Sequence, residues 1–165
     1  MPDVNPETKG ERLAGVIYGT IVVLSVVVAG AKAYPESPGH VVALVAVTTV
    51  VFWLAHVYSF SLGDTVAHGE HLSFAEVRHI ARREAAMIGA ALPPIVALVL
   101  GEIGVLSAAT AYWAALAVGL VVLGAQGVLF ARLERLGPLA TIVVVAVNLG
   151  LGVTLVGLKV LVGHA

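Results

Sequence analysis

The sequence contains no cysteine and little charge, since Asp, Glu, Lys and Arg together make up 12% of its 165 residues. The absence of cysteine excludes disulfides, thiol catalysis and thiolate-bound metal sites. The formal net charge of −1 lacks the basic excess on which nucleic-acid binding depends. A soluble domain has about 25% charged residues, so this chain has too few polar groups to cover a surface in water. These features exclude a water-soluble enzyme and a nucleic-acid-binding protein.

Apolar residues dominate instead, at 59% of the sequence with a mean hydropathy of +1.02. Five apolar runs are long enough to cross the roughly 30 Å of hydrocarbon in a bilayer, which takes about 20 helical residues. In lipid the backbone must form its hydrogen bonds within the segment, so each run is predicted to be a helix. The predicted spans cover residues 13–33, 41–62, 85–101, 105–131 and 139–162. We therefore predict an all-α, polytopic membrane helix bundle that forms one domain.

The distribution of basic residues predicts the orientation of this bundle. With the N-terminus in the cytoplasm, seven of the nine Lys and Arg residues lie inside, and only Lys32 and Lys159 lie outside. Cytoplasmic loops carry the excess of Lys and Arg, so we expect N-in and C-out. The cytoplasmic insert, residues 63–84, contains the capping-box pattern Ser73-Phe-Ala-Glu76. We expect a short amphipathic helix there, either along the membrane surface or as a solvated connector.

Polar side chains inside the apolar spans are the candidates for a transport pathway, because such groups are costly in hydrocarbon. They recur at helical spacing in spans one, two and five, and we predict that these stripes converge on one route. His56 is central to the prediction, since an imidazole can carry protons or bind a divalent cation. The alternative is that the polar groups only bond neighbouring helices to each other. The predicted pathway residues are Tyr18, Ser25, His56, Ser59, Asp64 and Asn148.

A second group of candidates lies in the cytoplasmic insert and at its ends, where imidazoles and carboxylates crowd together. Glu76 and His79 repeat the Glu-x-x-His spacing of di-metal carboxylate bundles. These ligand types suit iron, manganese or zinc, so a divalent metal, iron or manganese, is a candidate cofactor or cargo. A polar loop at the headgroups explains the same composition without metal. The predicted metal ligands are His68, His71, Glu76, His79 and Glu84.

Two further motifs concern the helices themselves. Pro93 and Pro94 stand in the middle of span three, where they remove backbone hydrogen bonds and predict either a gate or a static bend. Gly15 and Gly19 have the GxxxG spacing that allows close helix contact, within one chain or between two. Five helices make a thin bundle, so we expect a homodimer with its seam on a glycine-bearing face.

The chain resembles the vacuolar iron transporter family, whose members are dimers of five-span subunits that exchange iron or manganese for protons. Gly15-Val-Ile-Tyr-Gly19 stands where that family has Asn-Asp-Gly, Leu54-Ala-His-Val-Tyr58 where it has Met-x-x-Gly-Glu-Tyr, and Ala131-Arg-Leu also looks similar. The resemblance places Tyr18 at the family's aspartate and His56 at its glutamate, and the insert is shorter than a metal-binding domain. The chain is also similar to small bacterial five-span proteins, which implies a multi-pass protein of the bacterial cytoplasmic membrane.

These patterns leave two functions open. The first is a small transporter or channel for protons or divalent cations, and the second is a non-transporting membrane scaffold or assembly protein. An embedded enzyme is not expected, because the spans carry no paired acids, no His-Glu-x-x-His site and no serine nucleophile motif. The bilayer and a second copy of the chain are the expected partners.

Overall fold

The computed structural model describes residues 6–68 and 73–163, and every regular element in these ranges is a helix. Five helical segments are long and apolar enough to cross a membrane, with α3 and α4 together forming one of them. The predicted all-α membrane bundle is confirmed. The helices are α1 (Pro6–Ala33), α2 (Pro38–His68), α3 (Phe74–Glu84), α4 (Ala86–Glu102), α5 (Ala108–Leu133) and α6 (Pro138–Gly163).

The helix ends follow local chemistry. Gly104 has φ of 79°, a conformation that favours glycine, and it ends the turn after α4. Ser107 then caps α5 by accepting a hydrogen bond from the Thr110 backbone N–H at 3.2 Å, so α5 begins later than the predicted residue 105. At the other boundary α2 continues to His68, six residues beyond the predicted end. Asp64 therefore belongs to a helix and not to a loop.

Helix α1 lies at the centre of the arrangement, since it contacts each of the other five helices. Around it, α2, α4, α5 and α6 follow one another as neighbours. Within the described residues α2 and α6 do not touch, so they form the two ends of an arc. We call the two ends of the bundle the Arg12 end, where α1 begins and α5 ends, and the Glu102 end. At the Glu102 end, the Gly39 backbone N–H donates to Glu102 Oε2 at 2.6 Å.

Small residues let these helices approach closely. A Cβ atom added to Gly19 would lie 2.8 Å from Met87 Cγ and 2.9 Å from the Met87 carbonyl oxygen, so α1 and α4 are in backbone contact there. A Cβ atom at Gly119 would lie 2.5 Å from Leu24 Cδ2. Lipid tails are as apolar as leucine, so close packing of this kind stabilises a membrane bundle more than apolar burial does. The buried core includes Val23, Leu24, Val27, Val41, Val45, Leu98, Leu116 and Leu123.

Helix α3 begins with the predicted capping box, in which Ser73 Oγ accepts from the Glu76 N–H and the Glu76 carboxylate accepts from the Ser73 N–H. Only Ala85, itself in a helical conformation, separates α3 from α4. The Trp53 Nε1–H donates to the Ala81 carbonyl at 3.0 Å. Together with the Gly39–Glu102 bond at the other end of α2, this bond shows that α3 and α4 run antiparallel to α2. The amphipathic helix exists as predicted, but it packs along α2 and is not a separate helix lying flat.

Candidate functional site

The structure brings together two of the predicted pathway residues, Tyr18 on α1 and His56 on α2. Their ring centroids are 5.0 Å apart and their planes are tilted by 49°. Tyr18 is 40% exposed and His56 is half-buried, so the pair lies at the surface of the seam between the two helices. Tyr18 lies five residues from the start of predicted span one and His56 six residues from the end of predicted span two, which is about 8 and 9 Å along their helices. The pair therefore sits at bilayer depth, where polar groups are rare and costly.

Aromatic rings extend this pair along α2 in both directions, with Phe52 towards the Glu102 end and Phe60 towards the Arg12 end. Phe52, His56 and Phe60 follow at intervals of four residues and so share one face of the helix. The centroid distances are 6.2 Å from Tyr18 to Phe52 and 6.3 Å from His56 to Phe60. The Arg83 guanidinium of α3 lies 4.9 Å from the centroid of the Phe60 ring, a cation–π contact. We call Tyr18, Phe52, His56, Phe60 and Arg83 the aromatic ladder.

The contact of His56 Nδ1 bears on the protonation of the ring. Nδ1 lies 3.2 Å from the Phe52 carbonyl oxygen, which can only accept, so a hydrogen bond between these atoms requires the proton on Nδ1. In the neutral ring Nε2 is then the acceptor. Among the described residues neither His56 Nε2 nor the Tyr18 hydroxyl has a hydrogen-bond partner. This leaves one proton-accepting atom and one proton-donating atom together in the seam.

A polar cavity adjoins the ladder at its Arg83 end. It consists of two neighbouring spaces of about 290 Å³ and 340 Å³ that share Asp64, Ile80 and Arg83. We call it the Asp64 cavity. Phe60 lines it on one side and contacts His56 on the other, so this ring separates the cavity from the imidazole. The remaining lining residues are Gly63, Ala75, Glu76 and His79.

The predicted metal cluster does not form among the described residues, where no three His, Asp or Glu side chains are close enough to hold a metal ion. Two of its members have other roles. The Glu76 carboxylate accepts from the Ser73 N–H and hydroxyl at 2.6 and 2.7 Å, and the buried Glu84 accepts from Arg83 Nε at 3.2 Å. His79 is exposed at the edge of the Asp64 cavity. His71 and the side chain of His68 lie outside the described residues.

The predicted convergence of three polar stripes is wrong for the described part of the chain, because α6 does not reach α2. Asn148 is buried on the α5 side, where its Nδ2 donates to the Leu123 carbonyl at 3.4 Å. Ser25 donates its hydroxyl proton to the Ile21 carbonyl of its own helix at 2.9 Å. Ser59 is exposed on α2. Tyr18, His56 and Asp64 thus remain as neighbours, and Asn148 belongs to a separate packing contact.

The structure also locates the two helix motifs, the proline pair of α4 and the GxxxG motif of α1. Helix α4 continues through Pro93 and Pro94, and Pro94 is completely buried in the core, which fits a static element better than a moving gate. Gly15 and Gly19 face Ala86 and Met87 of α4, so this motif packs helices within the chain. Helix α4 occupies the Gly15–Gly19 face, so this glycine-bearing face is not available to a second copy, and the homodimer stays a prediction.

Sequence reasoning missed Phe60 and Arg83. The four-residue spacing of Phe52, His56 and Phe60 was the available signal for the first of them. Arg83 had none, because its role depends on α3 packing against α2, and an amphipathic pattern does not specify which neighbour it will contact.

Compared with known proteins, the chain matches no protein family, no curated protein and no solved structure. The resemblance to the vacuolar iron transporter family therefore stays a prediction.

Proposed function

We propose that this multi-pass membrane protein transports protons, with the route running along the α1–α2 seam. The observation that carries the proposal is the Tyr18–His56 pair at bilayer depth, where neither Nε2 nor the phenol hydroxyl has a hydrogen-bond partner among the described residues. Structural polar groups in membrane helices usually bond to neighbouring helices or to their own backbone. An imidazole that keeps an acceptor atom available is suited to receive and release a proton.

The Asp64 cavity supplies an entrance to this route. Asp64 lies two helical turns from His56 on α2, with Phe60 halfway between them. A carboxylate at the mouth attracts protons from the aqueous phase, and movement of the Phe60 ring would connect the cavity to Nε2.

A second copy of the chain would complete the route. Tyr18 belongs to an outward face of α1, between α2 and α6, that also includes the exposed residues Ala14, Ala29 and Lys32. In a single chain this face leaves the phenol and the imidazole against lipid, which is unfavourable. A homodimer formed through α1 and α2 would enclose them. We place the Arg12 end in the cytoplasm of a bacterial cell, following the distribution of basic residues.

The test is proton flux into proteoliposomes containing the purified protein and an internal pH-sensitive dye, driven by a potassium diffusion potential. Because positioned acid–base groups contribute about 100-fold or more to proton transfer, His56→Phe should lower the initial flux at least about tenfold. His40→Phe is the matched control. His40 also stacks on a tyrosine, Tyr34, at a centroid distance of 5.0 Å, but both residues lie at the α1–α2 connection, Tyr34 just after α1 and His40 in the first turn of α2. That variant should keep the wild-type flux.

Two results would contradict the proposal. One is wild-type flux no greater than in protein-free liposomes at either sign of the potential. The other is equal flux in wild type and His56→Phe when both elute at the same position in gel filtration. An external divalent metal that is carried inward, read by an internal metal-sensitive dye, would show that the cargo is a metal ion.

A non-transporting scaffold is the second candidate, and one set of bonds favours it. The hydroxyls of Thr20, Ser25, Thr65, Thr141 and Thr154 each donate to the backbone carbonyl four residues earlier. These groups are satisfied without lining a path. Under this function His56→Phe would change nothing, whereas substitutions that disturb helix packing, such as Gly19→Ala, would abolish activity in the cell.

A further inference from the structure

A crevice at the Arg12 end, separate from the α1–α2 seam, opens between α1, α4 and α5. Its volume is about 440 Å³, and most of its wall is apolar. Two polar residues interrupt that wall, Arg12 and Gln126. Leu129 and Leu133 line this open crevice, and their side chains are 45% and 43% exposed. The lining residues are Arg12, Leu13, Val16, Ala86, Gln126, Leu129 and Leu133.

The break at Ala85 explains why the crevice exists. Gly101 meets Ala111 where α4 and α5 adjoin, and the antiparallel register that follows brings Ala86 level with Gln126. Beyond Ala86 the chain continues as α3, which packs along α2 and does not contact α5 within the described residues. The last two turns of α5 therefore lack a neighbour on that side. Leu129 and Leu133 are left lining an open space next to α1.

We propose that this crevice binds an anionic phospholipid, with an acyl chain against the leucines and the headgroup phosphate at Arg12. The segment from Gln126 to Leu133 spans seven residues, about 10 Å along the helix, so it accommodates the upper half of one acyl chain. Leu24 packs over Gly119, so in the antiparallel register of α1 and α5 the Gln126 amide lies more than one turn deeper than Arg12, where it provides a donor for a chain's ester carbonyl. The proposal holds for either orientation of the bundle, because both leaflets present phosphate groups at this depth.

Charge favours an anionic lipid over a zwitterionic one. Arg12 is exposed, and no described side chain forms an ion pair with it. Arg82, Arg132 and Arg135 are exposed at the same end of the bundle, but so are Glu76 and Glu134, so Arg12, which lines the crevice itself, carries the preference for an anionic headgroup. Basic pockets between transmembrane helices are typical binding sites for anionic headgroups. A zwitterionic headgroup would gain the phosphate contact but bring its own cation towards these arginines.

The experiment measures lipid binding to the purified full chain by native mass spectrometry, with dioleoyl phosphatidylglycerol and dioleoyl phosphatidylcholine as probes. Because one basic residue near a membrane surface contributes on the order of a fivefold change in affinity, we expect phosphatidylglycerol to bind at least about fivefold more tightly. Arg12→Gln should remove most of this preference. Arg135→Gln, a basic residue at the same end but outside the crevice, should keep it.

A second pair of variants tests the apolar part of the site. Leu129→Trp fills the crevice and should weaken binding of both lipids, whereas Leu139→Trp, on the exposed surface of α6, should leave both unchanged. Equal affinity of wild type for the two lipids would overturn the proposal, as would an Arg12→Gln variant no different from Arg135→Gln. Competition by glycerol phosphate at the same concentration as the lipid would also overturn it, because a headgroup site would then need no chain. If Leu129→Trp does not fold, the comparison of Arg12→Gln with Arg135→Gln still tests the lipid preference, since Arg12 is an exposed residue.

Discussion

The two faces of α1 differ more than its sequence suggests. On the inner face Gly19, Val23, Leu24 and Val27 are buried against α4 and α5, with glycine where backbones meet. On the outer face Tyr18 is exposed in the gap between α2 and α6, among small residues. In water polarity would separate two such faces, but in lipid the size and fit of side chains do so. The inner face therefore holds the fold together, and the outer face is available for function.

The largest loss of stability should come from removing side-chain volume from the inner face of α1. Leu24 is completely buried and occupies the space over Gly119, so Leu24→Ala leaves a cavity that should lower the free energy of unfolding by about 2–5 kcal/mol. Leu44→Ala on α2, where the leucine is 42% exposed, is the control and should change it by less than about 1 kcal/mol. Unfolding in mixed detergent micelles, followed by tryptophan fluorescence, measures both. Equal losses in the two variants would remove the distinction between the faces.

A methyl group added to the inner face tests the same packing from the opposite direction. In Gly19→Ala the new atom meets backbone atoms of Met87, which cannot move aside as a flexible side chain would, so we expect a loss of about 1–3 kcal/mol. Gly150→Ala on α6 is the matched control, since a Cβ atom there meets nothing within 4 Å. Its stability should stay equal or rise by up to about 1 kcal/mol through helix propensity. A Gly19→Ala variant as stable as Gly150→Ala would show that α1 and α4 are farther apart than described.

Helix α1 also shows how much of this structure can be predicted from the sequence. The five spans and the Ser73–Glu76 capping box were predictable, because chain length in lipid and the bonds of a helix start are local requirements. The seven-residue spacing of Tyr18 and Ser25 correctly indicates a shared face, but no spacing states which helix that face meets. For this reason the sequence does not place Asn148 against Leu123, and it leaves open whether Gly15 and Gly19 pack within one chain or between two. The metal site stays a prediction, since His71 and the His68 side chain lie outside the described residues, and within them Glu76 is engaged by its own helix start.

A smaller change in stability is expected when the hydroxyl of a buried tyrosine, Tyr112, is removed, and Tyr18 on the outer face provides the comparison. Tyr112 is buried, and its hydroxyl donates to the Tyr34 carbonyl at 2.5 Å, so Tyr112→Phe leaves that carbonyl without this donor and should lower stability by about 1 kcal/mol. Tyr18→Phe removes a hydroxyl that has no described partner, so stability should stay within about 0.5 kcal/mol. The same variant should reduce proton flux, whereas Tyr112→Phe should not. A stability loss at Tyr18 equal to that at Tyr112 would mean that the outer face also serves packing.

The smallest effect is expected at Ser25, which lies on the outer face but differs from Tyr18 in its bonding. Its hydroxyl donates to the Ile21 carbonyl one turn earlier, so the group is satisfied by its own helix and offers no proton to a route. Ser25→Ala should therefore leave both the free energy of unfolding, within about 0.5 kcal/mol, and the proton flux unchanged. The comparison with Tyr18→Phe, in the same proteoliposomes, separates a polar residue that is only located on the face from one that acts there. A flux loss in Ser25→Ala as large as that in Tyr18→Phe would contradict this expectation. It would mean that the serine hydroxyl leaves the Ile21 carbonyl and takes part in proton transfer, so the route would extend along α1 beyond the seam with His56.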